Sequence, residues 1–170
     1  MKQHIIYTLI ALFFLSCEPV QKSVGFTTWS DDGSEYQFYL GTESSIDVVK
    51  AFDAVAQAKT YDDFREIFAD SAILTYQNGV TNTLDEFIAL NQNRDSVLLA
   101  NEASLQWTPQ HAFSVDIDPA RGGEHVNMMY KGEYTEGEQK SAFYANLWFY
   151  VVDGKIVSIN QYNQAIQADE

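Results

Sequence analysis

From position 111 to the end of the chain, apolar residues recur at every second position in runs separated by turn dipeptides, and no other feature limits the fold as much. Phe113, Val115 and Ile117 alternate with polar neighbours, then Val126, Met128 and Tyr130, then residues 141–152, then 155–163. Asp118-Pro119 with Gly122-Gly123, Glu136-Gly137 and Asp153-Gly154 separate them, the last being a dipeptide suited to a two-residue hairpin. Period two with such turns predicts four consecutive antiparallel strands. The run 141–152 departs from alternation: Phe143, Leu147 and Phe149 fall on one parity, Tyr144, Trp148 and Tyr150 on the other. A sheet with one wet face alternates, so this strand is expected to be covered on both sides. Helices cover one side. The other is covered by a second subunit, or by the chain's own tether or C-terminus.

The first half has helical period. Ile46, Val49, Phe52 and Ala56 make one stripe, and Ser44 with Asp47 resembles a capping box, so a helix is expected over about 45–58. Thr60 with Asp63 repeats the signal before Tyr61, Phe64, Ile67 and Phe68, a short second helix ending near Asp70. Residues 72–77 read as a short strand closed by Asn78-Gly79, where glycine supplies positive φ. Thr83 with Glu86 opens a third helix whose buried side holds Leu84, Phe87, Ile88, Leu90 and Leu98, and Pro109 is expected to end the segment beyond that helix. Tyr36, Phe38 and Leu40 alternate as a short entry strand. Helices first and a meander second gives an α+β domain, with helices on one face of a curled, mainly antiparallel sheet.

The N-terminus reads as an address. Met-Lys, an apolar run from Ile5 to Leu15, and small Ser16 before Cys17 have the order of a signal peptide, and the run is too short to span a bilayer, which takes ~20 residues. Phe14-Leu15-Ser16-Cys17 resembles the bacterial lipobox. This implies a signal peptide over 1–16, a lipidated Cys17 with a tether over 17–43, a domain over 44–164 and a tail over 165–170. The expected location is the bacterial cell envelope, lipid-anchored at the inner or outer membrane. Cys17 is the one cysteine, so the fold has no intramolecular disulfide and depends on its core. The net charge of −14 becomes one unit more negative once Lys2 is removed. Such acidity excludes nucleic acid as an expected partner and disfavours steering of an anionic ligand.

The order helix, helix, short strand, helix, meander, with Tyr61-Asp62-Asp63-Phe64, Phe68-Ala69-Asp70-Ser71-Ala72 and Asp153-Gly154-Lys155-Ile156-Val157, resembles the SnoaL-like branch of the NTF2-like superfamily over about 44–163. The resemblance implies a cone with a pocket between helices and sheet, often a dimer through the outer sheet face, in a family of isomerases, cyclases, dehydratases and non-catalytic modules. Bacterial ketosteroid isomerases of this family use a tyrosine on the first helix and a neutral aspartic acid on the penultimate strand as an oxyanion hole, with an aspartate after the first strand as base. The matching positions here are Phe52, Asn146 and Tyr76. Phe52 has no hydrogen to donate, and neither Asn146 nor Tyr76 is a base at neutral pH. The run 141–152 holds no Asp, Glu or His, so the acid-base chemistry of the SnoaL-type cyclases does not transfer either.

These residues admit two functional readings. In the first, Tyr76, Tyr144, Asn146 and Trp148 line an apolar pocket with a few polar handles, and the anchored domain binds a small hydrophobic or amphiphilic molecule or serves as an accessory module. The same four are equally compatible with core packing, the tyrosine hydroxyls being bonded at its edge. In the second, His111, sharing parity with Phe113, Val115 and Ile117, points inward and serves a lyase or isomerase together with Tyr76 or Tyr144. His125 has the opposite parity to Val126, Met128 and Tyr130 and is expected to face out. No cofactor is called for, and the acids show no metal-ligand spacing.

Overall fold

The computed structural model describes residues 22–28, 33–117 and 122–166. The expected signal peptide, Cys17 and the Asp118-Pro119 turn lie outside the described residues. The elements run β1 (Gly25–Thr27), β2 (Tyr36–Leu40), α1 (Glu43–Ala58), a 3-10 turn (Tyr61–Asp63), α2 (Phe64–Ile67), β3 (Phe68–Tyr76), β4 (Thr81–Thr83), α3 (Leu84–Ala100), β5 (Ala103–Asp116), β6 (Glu124–Glu136), β7 (Gln139–Val152) and β8 (Lys155–Ile166). They form an α+β fold with an eight-stranded sheet in the order β1-β2-β5-β6-β7-β8-β3-β4. Among the described residues only the β3–β8 pairing is parallel; the meander β5 to β8 is antiparallel, as the period-two runs require.

Local chemistry accounts for the clearest boundaries. At α3, Thr83 Oγ1 accepts from the Glu86 N–H at 3.3 Å and the Glu86 carboxylate accepts from the Thr83 N–H at 2.8 Å, completing the capping box. Gly79 takes φ +80° in the turn after β3, and Asp153-Gly154, both at positive φ, joins β7 to β8. Two expected caps do not form. Helix α1 starts earlier, at Glu43, behind Thr42; the Thr42 N–H donates to Glu124 at 2.7 Å, while Asp47 pairs with Lys50. Thr60 likewise makes no side-chain cap bond. The second helix stops at Ile67, not near Asp70. Phe68 is extended and pairs with Ile156 of β8, so sheet pairing wins over a helical stripe that Phe68 satisfies from either conformation.

Strand β5 begins at Ala103, and Pro109 lies inside it opposite Tyr130 instead of ending an element. The register shifts between Pro109 and His111, leaving Gln110 as an extra residue on the strand. The expected entry strand forms at 36–40, Tyr39 and Leu40 pairing with Asp116 and Val115, and residues 25–27, expected to be tether, add a further strand paired with it.

The core lies between the helices and the inner sheet face. Val49 and Phe52 of α1, Phe64 and Phe68, Leu84 and Ile88 of α3 meet Val126, Met128 and Tyr130 of β6, and Ala145, Leu147, Phe149 and Val151 of β7. Leu90, expected on the buried side of α3, is exposed, and Asn91 is buried in its place. The two parities of β7 separate as expected: Phe143, Leu147 and Phe149 face the core, while Tyr144, Trp148 and Tyr150 share the outer face. That outer face stays partly exposed in the single chain, with Phe113, Tyr144 and Tyr162 open to solvent and Trp148 half-buried edge-on to Phe113.

Candidate functional site

A cavity of about 90 Å³ opens between the helices and the inner sheet face. Helix α1 turns Phe52, Asp53, Ala56 and Gln57 toward it and α3 turns Phe87, Asn91 and Arg94, each at helical spacing. The strands contribute Leu74 to Tyr76, Trp107, Tyr130, Leu147, Ile159 and Gln161. Its apolar wall is aromatic: Phe52 stacks on Phe64 at 5.1 Å and meets Phe149 edge-on at 5.0 Å. Trp107 packs edge-on against Phe143 at 5.3 Å, and Gly132 leaves room for that ring, since a Cβ there would lie 2.3 Å from Phe143.

Polar groups gather in two places. On the α3 side, Tyr61 donates to Asp95 at 2.6 Å and accepts from Arg94 Nη2 at 3.1 Å; Asp95 is also approached by Lys59 at 3.3 Å and by Arg94 at 3.5 Å. Burial and the Asp95 hydrogen bond push the Tyr61 phenol up to about 12, against the charge of Arg94. Partial burial works to raise the Asp95 carboxyl, but bonds from Tyr61 and Lys59 and the charges of Arg94 and Lys59 outweigh it and hold it below its usual range. Arg94 Nε is buried without a hydrogen-bond acceptor. Burial also raises the Tyr76 phenol, opposed by a hydrogen bond with Asn82 and by Arg94.

On the α1 side, Gln57 donates to the Trp107 carbonyl at 2.9 Å and tethers the helix to β5. The Tyr130 phenol is raised well above its usual value, first by burial and then by the neighbouring Asp53 carboxylate. Among the described residues no three His, Cys, Asp or Glu side chains group as metal ligands, and no helix is long and apolar enough to cross a membrane.

Of the residues expected to line the pocket, Tyr76 does. Tyr144, Asn146 and Trp148 do not: they occupy the outer-facing parity of β7, where Asn146 accepts from Asn127 at 2.8 Å, and Leu147 presents the inner side chain instead. His111 is also on the outer face, exposed and stacked on Phe113 at 6.3 Å. It does share parity with Phe113 and Val115, but the extra Gln110 inverts the strand: Trp107 and Pro109 align with inner positions of β6, whereas His111 aligns with Met129. His125 faces out as expected, stacked on Tyr150 at 4.6 Å. Of the positions matched to the isomerases, Phe52 is a core ring, Tyr76 lines the cavity and Asn146 is on the wrong face.

The residues that sequence reasoning missed are Asp53, Gln57, Asn91, Arg94 and Trp107. For two of them a signal was present. Asn91 and Arg94 continue the stripe of Leu84, Phe87 and Ile88 at steps of three and four, so both belong to the buried side of α3.

No family model matches this sequence, and no curated protein matches it. Solved structures do. An LEH-like epoxide hydrolase from M. tuberculosis aligns at TM-score 0.55 and 15% identity, over 72% of this chain and 84% of that one. A ketosteroid isomerase candidate from Kribbella flavida aligns at 0.55 and 14%, over 77% and 84%. A candidate SnoaL-like polyketide cyclase from a Jannaschia species aligns at 0.55 and 13%, over 72% and 86%. At this identity the likeness is one of fold, and the fold is NTF2-like.

Proposed function

We propose that this NTF2-like chain is a lipid-anchored envelope protein whose domain binds a small hydrophobic or amphiphilic molecule without the catalytic groups of the isomerases and cyclases it is similar to in fold. The observation that carries the reading is the cavity itself: an aromatic wall with a few polar side chains, the usual make-up of a small-molecule site. At about 90 Å³ the cavity is small, and it suits a single ring or a short acyl chain better than a steroid.

The competing lyase or isomerase reading rested on His111 converging with a tyrosine hydroxyl on a cavity. His111 is absent from the cavity lining, and the inner side of β7 offers Ala145, Leu147 and Phe149, none of which moves a proton. The structures that share the fold include hydrolase-, isomerase- and cyclase-like proteins, so fold alone favours neither reading.

Ligand-observed NMR with benzyl alcohol tests the pocket. Binding is expected to the native protein and to be lost in Ala56→Phe, which fills the cavity from α1. Equal binding by both proteins would place the ligand elsewhere. The anchor is tested separately: Cys17→Ser should move the protein from the membrane fraction to the soluble fraction, and unchanged fractionation would refute it.

A further inference from the structure

The cavity contains one cationic lining residue, and that residue is not neutralised. Arg94 and Lys59 both approach Asp95, at 3.5 and 3.3 Å, so two cations share one carboxylate and the cluster keeps a net positive charge. Asp95 is further occupied as the acceptor of the Tyr61 hydroxyl. Arg94 Nη2 is used in bonding Tyr61, while Nε is buried and without an acceptor. Nε is covered by protein, so it is the rest of the guanidinium, where Arg94 lines the cavity, that is open to an acceptor brought by a ligand. A guanidinium edge matches a planar oxyanion in shape as well as charge.

Asp53 is the cavity's opposite charge, and it is placed differently. It sits on α1 beside Tyr130, whereas Arg94 sits on α3 beside Tyr61.

We infer that the cavity selects small carboxylic acids, the carboxylate pairing with Arg94 and the apolar body resting on the aromatic wall. The inference rests on the pocket reading above and assigns the ligand's chemical class. Selection arises from contact, not approach, since the chain's charge of −14 repels anions at long range.

The test compares benzoate, ionised at neutral pH, with benzyl alcohol, of the same ring but neutral, by calorimetric titration of the full chain. Benzoate is expected to bind about tenfold more tightly or better, the scale of a charge-assisted hydrogen bond. Arg94→Gln should abolish the preference, so that the two ligands bind it with similar affinity. Arg94→Lys, which keeps the charge and loses the planar fork, should retain part of it, and circular dichroism checks that both variants fold. Equal binding of the two ligands by the native protein, or a preference that survives in Arg94→Gln, overturns the carboxylate assignment and leaves the pocket standing. Binding of neither ligand overturns the pocket reading, and this one with it.

Discussion

Truncating Phe52 to alanine probes the joint between core and cavity. The ring is 6% exposed and has four aromatic neighbours: Phe149 at 5.0 Å, Phe64 at 5.1 Å, Phe68 at 6.0 Å and Phe87 at 6.4 Å. Removing a buried phenylalanine costs about 3–5 kcal/mol, a figure that already includes these ring contacts. Against a total stability of about 5–15 kcal/mol the variant should fold but be marginal. At about 2–4 °C per kcal/mol for a chain of this size, its melting temperature should fall by roughly 6–20 °C. Urea unfolding followed by circular dichroism reads the loss, with Phe26→Ala, at a ring that is 63% exposed, as the control. Because Phe52 also lines the cavity, the void joins the existing space, and benzyl alcohol should stabilise the variant more than the native protein. A loss below about 0.5 kcal/mol, the range of surface changes, would refute the placement of this ring.

Thr83→Ala should cost about 1 kcal/mol by breaking the α3 capping box, whereas Ser44→Ala, at a site that does not cap α1, should stay within about 0.5 kcal/mol in urea titrations. Burial holds the His125 imidazole below its usual value of 6.5, so the fold favours the neutral form. Its contribution is therefore full above about pH 6.5 and is lost as pH falls through the lower folded value. His125→Gln should flatten that acid limb, and a stability–pH curve identical to the native one would exclude the effect. Phe113, Tyr144 and Tyr162 expose 43, 37 and 54% on the outer face, so light scattering of the Cys17→Ser protein should give a dimer that Phe113→Lys with Tyr162→Lys dissociates. A monomeric starting protein would refute the dimer.

The sequence by itself determined whatever is encoded within a few residues. The Thr83–Glu86 cap, the Asn78-Gly79 and Asp153-Gly154 turns and the alternation that makes four strands depend on local hydrogen bonds, dihedrals and periodicity, and all are present. The phrases that suggested an NTF2-like cone also predicted the fold. Tertiary structure decided which face each strand turns inward, because alternation gives two faces and does not say which one packs. The extra Gln110 moves His111 to the outside, and the packing of Leu147 and Phe149 against the helices sends Asn146 and Trp148 there too. Phe68 went to the sheet because Ile156, far along the chain, offered backbone partners. Of the site, Tyr76 was read from the sequence, and the α3 stripe carried an unused signal for Asn91 and Arg94. The site's other groups, from Asp53 to Gln161, come from elements distant in sequence, and only tertiary packing brings them around one cavity.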